Sequence, residues 1–300
     1  MNYTIHQLRV YLKIVEFQSI TQASQELNMT QPSVSIQLKN FQDQFSIPLT
    51  ELYRRRLHIT DFGYEIAEMA QKVMEDLENL KFKTKEYEGI LTGKIRISSA
   101  STGKYLVPYF IKDFFSIHEG IDLVLDITNR SQVLNSLKKH EIDFAVISIM
   151  PDDLDLEYID LLENYLYLVG PSKIKGSDHY IFREEGSVTR KIMSDYFSKD
   201  KMKNRKKLEL TSNEAVKQAV LAGLGVSILP IVGIKHEILE GSLRIIPTKK
   251  LPIKTQWKLV WLKGRKLTPA SKAFVEFIQK NAHQVCEEHF SWIKQYENIS

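Results

Sequence analysis

The sequence predicts a multidomain α+β protein with three parts: an N-terminal winged helix-turn-helix, a long linker helix, and a C-terminal α/β domain of two lobes. Three observations predict this fold. Short helical patterns with clear start signals fill residues 1–45. A proline-free stretch with apolar residues at heptad spacing occupies residues 61–88. From residue 94 onward, short apolar strand patterns alternate with amphipathic helical patterns, which is typical of α/β folds.

The composition is that of an ordinary globular protein, with 43% hydrophobic and 26% charged residues in a chain of 300 residues. That length suits two or three folding units. The single cysteine, Cys286, cannot form an internal disulfide, which agrees with a reducing cytosol. The N-terminus lacks a signal-peptide pattern, and no apolar run approaches the ~20 residues of a membrane span. These features predict a cytoplasmic protein. The net charge of +4 agrees with a nucleic-acid partner without requiring one.

Local start signals define three helices near the N-terminus. Apolar spacing predicts a first helix over residues 5–17. Ser19 and Gln22 form a capping-box pattern for a second, short helix, and Thr30 suits the cap of a third. Two short helices joined by a tight turn form a helix-turn-helix. The third helix should bury a stripe formed by Val34, Leu38, Phe41 and Phe45.

A wing and a linker helix follow. Residues 49–60 contain two strand-like runs around three arginines, which predict a β-hairpin with a basic tip and complete a winged domain at 1–60. Residues 61–90 predict one long linker helix with a heptad seam flanked by charges. The seam favours pairing between two subunits, and the alternative is a helix packed on its own domain. The seam residues are Ile66, Ala70, Val73, Leu77, Leu80, Thr84 and Tyr87.

The rest of the chain, 91–300, predicts a two-lobed α/β domain after a glycine-containing hinge at residues 88–93. Repeated βα units predict mostly parallel sheets with helices on both faces. Lobe I should comprise about 91–161 and 266–300, and lobe II about 162–265. Strands are predicted at 94–99, 121–127, 142–147, 165–169, 179–182, 207–210, 226–229 and 255–261. Helices are predicted at 105–116, 131–139, 188–197, 214–222, 232–240 and 269–280.

Several motifs are specific in combination. Gln-Pro-x-x-Ser lies at 31–35 and Thr-x-x-Gly at 60–63, and Arg-Glu-x-Gly-Ser-x-x-Arg lies at 183–190. On these residues the chain resembles the LysR-type transcriptional regulators. The resemblance implies a bacterial transcription factor, not an enzyme, that binds double-stranded promoter DNA as a homodimer or homotetramer. It also implies a small-molecule effector, often an anion, held in a domain like that of periplasmic binding proteins. RNA polymerase is a further candidate partner.

The predicted DNA contacts come from the start of the third helix and from the wing. The N-terminal turn of a recognition helix faces the major groove, where Gln can read adenine and an apolar side chain can pack on a thymine methyl. Wing arginines can contact phosphate or enter the minor groove. The alternatives are that Ile36 belongs to the core and that the arginines form a solvated turn. The candidates are Thr21, Gln31, Pro32, Ser33, Ser35, Ile36, Lys39, Arg54, Arg55, Arg56 and His58.

This chain departs from the family pattern at three positions near the predicted DNA surface. The family usually has Phe where Thr50 stands and Arg where Leu52 stands, and commonly has Arg where Ile36 stands. These departures affect individual DNA contacts and leave the fold unchanged.

Hydroxyl side chains follow several predicted strands, directly before helices. Ligands of open α/β sheets bind beyond the carboxyl ends of the strands, and helix N-termini offer free N–H groups. This arrangement suits an anionic effector such as a carboxylate or sulfate, although Ser and Thr at these places also serve as helix caps. Arg190 is a candidate cation, or it pairs with Glu184 or Glu185. The resemblance implies effector contacts from Ser99, Ser101, Thr102, Thr128, Ser148 and Thr211.

Other readings have weaker support. The Gly223–Gly225 segment follows a helix and precedes a strand, which is the reverse of a dinucleotide-binding turn. His283, Cys286 and His289 are spread too far along one helix for a single metal ion, so no metal or cofactor is expected. The basic run at 199–207 is interpreted as a solvated loop, with an auxiliary anion or DNA contact as the alternative. No catalytic motif supports an enzyme, and a solute carrier would need a signal peptide.

Overall fold

The computed structural model describes residues 2–53, 56–87, 90–172, 179–198 and 206–296. The chain forms two compact units, residues 1–90 and 91–300. Some predictions fall outside the described residues. They are the wing-tip residues Arg54 and Arg55, the hinge residues Glu88 and Gly89, and most of the basic run at 199–207.

The first unit begins with three helices: α1 (Ile5–Phe17), α2 (Ile20–Glu26) and α3 (Gln31–Gln42). The predicted caps are confirmed: Ser19 accepts a hydrogen bond from the backbone N–H of Gln22, and Thr30 accepts one from that of Ser33. A side-chain oxygen at the cap satisfies a backbone donor that the helix leaves free, so each cap fixes where its helix begins. The predicted stripe is largely buried at Val34, Leu38 and Phe41, and Phe45 is partly buried against it.

The wing consists of β1 (Thr50–Tyr53) and β2 (Arg56–Ile59), which pair antiparallel. The Thr-x-x-Gly motif has a physical explanation here. The Thr60 hydroxyl donates to the backbone oxygen of Leu49 and accepts from the N–H of Gly63 at 2.9 Å. A Cβ at Gly63 would lie 2.2 Å from the Leu49 oxygen, so a larger residue would displace the wing. Tyr11 of α1 donates to the Gly63 carbonyl at 2.8 Å and joins the motif to the helical core.

The long helix α4 (Asp61–Tyr87) confirms the predicted linker helix. Ala70, predicted in the seam, is 3% exposed. Val73 and Leu80 of the same seam are 46% and 65% exposed, and Met69 beside them is 66% exposed. Ile66 and Leu77 are half-buried, so the described part of the seam combines buried and half-buried positions with two exposed apolar residues. The side chains of Thr84 and Tyr87 lie outside the described part of the chain.

The second unit begins with alternating strands and helices. Its first three strands are β3 (Gly93–Ala100), β4 (Ile121–Thr128) and β5 (Phe144–Ile147). They pair in parallel in the order β5-β3-β4, as the βα pattern predicts. A 3₁₀ turn at Ser101–Tyr105 separates the first strand from the first helix. The helices between these strands are α5 (Val107–Ile117) and α6 (Arg130–Lys138).

The elements after residue 155 form the second lobe and return the chain to the first. They are β6 (Leu156–Pro171), β7 (Tyr180–Arg183), α7 (Val188–Ser198), β8 (Lys207–Leu210), α8 (Asn213–Leu221), β9 (Ser227–Pro230), α9 (Lys235–Leu239), β10 (Leu243–Ile245), β11 (Ile253–Leu262) and α10 (Pro269–Phe290). The helix predicted at 232–240 is divided into a 3₁₀ turn, Ile231–Gly233, and α9. The last helix continues past residue 280 to Phe290, and a 3₁₀ turn, Ser291–Tyr296, follows it.

The expectation of mostly parallel sheets is wrong for the centre of this unit. The described main sheet has the order β10-β6-β11-β5-β3-β4, with β9 also paired to β6. The pairs of β6 with β9, β10 and β11, and of β11 with β5, are all antiparallel. The long strands β6 and β11 run side by side from one lobe into the other. In lobe II, β7 and β8 form a separate parallel pair, and an isolated parallel bridge joins Tyr180 to Val226.

Candidate functional site: a polar cleft between two lobes and an exposed recognition helix

A cleft opens where strand ends of the two lobes face each other. The first lobe supplies the ends of β3 and β5 and the start of α6. The second lobe supplies the starts of α7 and α8 and the end of β9, and the shared strands β6 and β11 form the floor. The lining residues are Ala100, Ser101, Thr102, Asn129, Arg130, Ser148, Asn164, Leu166, Ser187, Val188, Thr189, Asn213, Pro230 and Trp257.

Three of the predicted effector contacts line this cleft: Ser101, Thr102 and Ser148. Ser101 follows β3 and receives two hydrogen bonds from the second lobe. The guanidinium Nη1 of Arg183 and the amide Nδ2 of Asn213 each donate to its hydroxyl oxygen at 3.0 Å. Ser148 and Thr102 are each 8% exposed. The strand-end argument therefore identifies three residues that the fold brings together.

The structure places the other four predicted contacts outside the lining. Ser99 is fully buried, and its hydroxyl donates to the Ala100 carbonyl at 3.2 Å. Thr128 is bonded to the Gln132 side chain, and Thr211 is exposed, one residue before the cap of α8. The fourth, Arg190, donates from Nη1 to the carboxylate of Glu209 at 2.5 Å and to the Arg183 carbonyl at 2.8 Å, and lies 3.8 Å from Glu185.

Arg130 is a lining residue that the sequence analysis did not select, and it carries the positive charge of the described lining. Its Nε donates to the Ile149 carbonyl at 3.1 Å. Burial lowers the pKa of Arg130 below its ordinary value, while Asp153 and Asp152 act in the opposite direction. Arg130 is the first residue of α6, where the helix dipole disfavours a cation. An arginine at that position, directly after a strand end, was the available sequence signal for an anion site.

Three polar atoms of the lining residues have no hydrogen-bond partner among the residues that the structure describes. They are Oδ1 of Asn164, Oδ1 of Asn213 and Nε1 of Trp257. The Asn164 amide nitrogen donates to Thr255 at 2.9 Å, so only its oxygen is unpaired. A buried polar atom without a partner costs about 1–3 kcal/mol. A polar ligand in the cleft would supply the missing partners.

A charged cluster connects the two lobes beside the cleft. Tyr105, which ends the 3₁₀ turn after β3, donates to the carboxylate of Glu214 on α8 at 2.8 Å. The Nζ of Lys217 lies 3.1 Å from Glu214 and 2.7 Å from Glu237. Burial alone would raise the pKa of Glu214, but hydrogen bonds from Tyr105, Gln218 and Lys217 lower it to about 2. Burial would lower the pKa of Lys217, and its bonds to Glu237 and Glu214 raise it.

The first unit presents the start of α3 to solvent. Gln31, Pro32, Ser35 and Lys39 are exposed, Ser33 is half-buried, and Ile36 is 57% exposed. The exposure of Ile36 excludes the core alternative for this residue. Gln31 donates from its amide to the Thr21 hydroxyl, so the two predicted contact residues are joined.

On the wing, Arg56 and His58 are exposed, and the His58 ring lies 6.1 Å from that of Tyr53. Among the departures from the family pattern, Leu52 is 78% exposed. Thr50 is turned inward, and its hydroxyl donates to the Gln42 side chain at 2.8 Å.

A winged helix-turn-helix in one chain with a two-lobed, cleft-bearing domain defines a ligand-controlled DNA-binding regulator. Two family models cover the chain. Residues 5–64 match the bacterial regulatory helix-turn-helix protein, lysR family, and residues 88–283 match the LysR substrate binding domain. The chain belongs to the LysR family. It is a DNA-binding transcriptional regulator modulated by a small-molecule effector, and not an enzyme. Its likeness to periplasmic binding proteins is one of fold alone.

Relatives support this assignment along the whole chain. An HTH-type transcriptional activator, CmpR, from Synechocystis is 31% identical over 289 residues, covering 92% of this chain and 95% of that protein. A RuBisCO operon transcriptional regulator from Allochromatium vinosum is 31% identical over 94% of this chain and 97% of its own length. The Synechocystis CcmR regulatory domain in complex with 2-PG has a TM-score of 0.59 and 28% identity, covering 64% of this chain and 98% of that one.

The fold also matches a full-length LysR regulator bound to DNA. The CbnR complex with its target DNA has a TM-score of 0.62 at 17% identity, covering 93% of this chain and 99% of that chain. In the described part of the present chain, no helix is both long enough and apolar enough to span a membrane.

Proposed function

We propose that the effector is a small oxyanion that binds in the cleft, with its negative charge next to the guanidinium of Arg130. Phosphate esters, sulfate and carboxylates are oxyanions of this kind. The observation that carries this proposal is the composition of the lining: one arginine at a helix N-terminus and no carboxylate among the lining residues. An anion there interacts favourably with both the guanidinium and the free N–H groups of α6. The 2-PG (2-phosphoglycolate) bound to the CcmR regulatory domain is an anion of this kind.

The binding groups around the anion are neutral hydrogen-bonding side chains. Ser101, Thr102 and Ser148 supply hydroxyls, and Asn164 and Asn213 supply amides. The O and N atoms of an amide are assigned from their hydrogen bonds, so either amide can turn its NH₂ toward the ligand. With Asn164 turned, its oxygen accepts from Thr255 and its nitrogen faces the cleft. Trp257 adds an N–H donor that has no partner among the described residues.

A calorimetric titration of the full chain tests the effector class. The ligands are 2-phosphoglycolate, glycolate, inorganic phosphate and inorganic sulfate, and the variants are wild type and Arg130→Gln. We expect at least one oxyanion to bind wild type and to bind Arg130→Gln about tenfold or more weakly, because a charge-assisted hydrogen bond contributes about 1.5–3 kcal/mol. The absence of binding by all four ligands, or equal binding by both proteins, contradicts the proposal.

The DNA-contacting residues that we propose lie on α3 and the wing. Gln31, Ser33 and Ser35 read base edges in the major groove, and Ile36 packs on a thymine methyl, since its side chain is exposed. Thr21 supports Gln31 through the bond between them. Pro32, Lys39, Arg54, Arg55, Arg56 and His58 contact the backbone or the minor groove.

The assembly is proposed to be a homodimer or homotetramer paired through the exposed seam of α4. A promoter-binding role would be carried out in the cytoplasm, and RNA polymerase is proposed as a further partner. The base contacts are tested by measuring the affinity of wild-type and Ser35→Ala protein for duplex DNA from upstream of its own gene and for a scrambled duplex. Equal affinity for the two duplexes in wild type contradicts them.

A further inference from the structure

We infer that Arg183, which does not line the cleft, positions the Ser101 hydroxyl so that this corner of the site accepts only a hydrogen-bond acceptor from the effector. The inference rests on the proposed oxyanion function and adds a residue that acts through another. Arg183 is 2% exposed, and Ser101 lines the cleft.

The guanidinium of Arg183 is held rigidly. Its Nε and Nη2 donate to the two carboxylate oxygens of Glu184 at 2.6 and 2.7 Å. This paired geometry fixes the plane of the guanidinium and leaves Nη1 free to donate to a group other than Glu184. Nη1 donates to Ser101 at 3.0 Å. The charge of Arg183 is balanced by Glu184, so its influence on the cleft passes through the hydrogen bond to Ser101.

The hydrogen-bond inventory of Ser101 determines what the cleft can bind there. A hydroxyl has two acceptor lone pairs and one proton. Arg183 and Asn213 donate to the same oxygen, each at 3.0 Å, so both lone pairs are used. The Ser101 hydroxyl can then still donate one hydrogen bond through its proton, and the partner must be an acceptor.

The other orientation of the Asn213 amide would move the free donor from Ser101 to Asn213. Its Oδ1 then accepts the Ser101 proton, which gives a partner to an atom that otherwise has none among the described residues. The NH₂ group then takes the position of the former oxygen. In that orientation the donor offered to the ligand belongs to Asn213, and Ser101 keeps one free lone pair. In the orientation that the structure shows, with Nδ2 donating, the donor offered to the ligand is the Ser101 hydroxyl. An oxyanion satisfies that donor, whereas an ammonium group cannot.

The same three residues connect the lobes. Ser101 follows β3 of lobe I, while Arg183 ends β7 and Asn213 begins α8 in lobe II. An effector oxygen bound to this cluster therefore contacts a bridge between the two lobes. Arg130 and Arg183 have different roles. Arg130 pairs with the negative charge of the ligand, and Arg183 orients the Ser101 hydroxyl.

A double-mutant cycle on the full chain tests the inference, with 2-phosphoglycolate, inorganic phosphate and inorganic sulfate as calorimetric probes. The variants are Ser101→Ala, Arg183→Lys and the double variant. Because Arg183 acts through Ser101, we expect each single variant to weaken binding about tenfold and the double variant by about the same factor. Ser101→Thr, which keeps a hydroxyl, should retain most of the affinity. Arg265→Lys is the control, since Arg265 forms a similarly buried pair with Asp143, which precedes β5, away from the cleft lining.

The outcomes separate the two proposals. Wild type that binds none of the probes overturns both. Binding that depends on Arg130 but is unchanged in Ser101→Ala and Arg183→Lys overturns only the inference about Arg183. Losses that multiply in the double variant also overturn it, because they would show independent effects. If Arg183→Lys fails to fold, as judged by circular dichroism, unchanged binding by Ser101→Ala still overturns the inference.

Discussion

Substitution of Lys217 by Met should destabilise the second unit substantially. Lys217 is 8% exposed, and its ammonium lies 2.7 Å from Glu237 and 3.1 Å from Glu214. Removing one partner of a buried ion pair costs about 3–5 kcal/mol, because the other charge remains buried. The Glu237 side chain is 16% exposed and experiences most of this penalty, while that of Glu214 is 42% exposed and is screened by water. The lower end of the range, about 3 kcal/mol, is therefore expected.

Calorimetric melting at pH 7 measures this effect. For a domain of this size, 1 kcal/mol shifts the midpoint by about 2–4 °C, so Lys217→Met should melt about 6–12 °C below wild type. Lys254→Met is the matched control, because Lys254 pairs with Glu163 at 2.6 Å while both side chains are about half exposed. An exposed pair contributes about 0–1 kcal/mol, so the control should melt within about 4 °C of wild type. Equal shifts for both variants would refute the reasoning from burial.

Three further predictions concern titration and DNA contact. Glu214 has a folded pKa of about 2 against an ordinary 4.5, so its contribution to stability is present above about pH 4.5 and is lost as the pH falls toward 2. Urea unfolding between pH 5 and 2 should show a smaller pH dependence in Glu214→Gln, and identical slopes would contradict the assignment. Burial raises the pKa of the Cys286 thiol from 9.0 to about 11, which lowers its thiolate fraction at pH 8 about 100-fold. Iodoacetamide should therefore alkylate it far more slowly than a free peptide thiol, and comparable rates would contradict its burial. Ile36→Ala should change stability by less than about 0.5 kcal/mol but weaken binding to an A·T-containing site, whereas Ile5→Ala, also exposed, should leave DNA affinity unchanged. Equal anisotropy titrations for the two variants would exclude the thymine contact.

Local rules accounted for the elements whose causes lie close together in sequence. The caps at Ser19 and Thr30 and the Thr60–Gly63 motif each depend on residues three positions apart. The first half of β6 was not predicted, because residues 156–164 lack regular alternation of apolar and polar residues. That half is a strand because it pairs with β11, about a hundred residues later in the chain. No periodicity in a short window reveals such a partner.

The contrast between local signals and long-range pairing also explains which residues of the cleft could be predicted from the sequence. Ser101, Thr102 and Ser148 follow strands, so the rule that ligands bind at strand ends selects them. Asn164 and Trp257 lie within β6 and β11, and they meet at the cleft through the long-range register of those strands. Thr211 does not line the cleft because of the local helix start: Ser212 caps α8, and Asn213 is the residue of this segment that lines the cleft.

The most direct test of the central claim measures DNA binding and its response to an oxyanion together. Fluorescence anisotropy would follow the full chain on duplex DNA from upstream of its own gene, with a scrambled duplex and a salt series as controls. Wild type should prefer the native duplex, lose affinity with salt, and change its binding when an oxyanion is added. Arg130→Gln should bind the native duplex as wild type does and fail to respond to the anion, while Ser35→Ala should bind more weakly. Failure to prefer any native sequence, tested across a genomic fragment library, or an anion response unchanged in Arg130→Gln, would contradict the account.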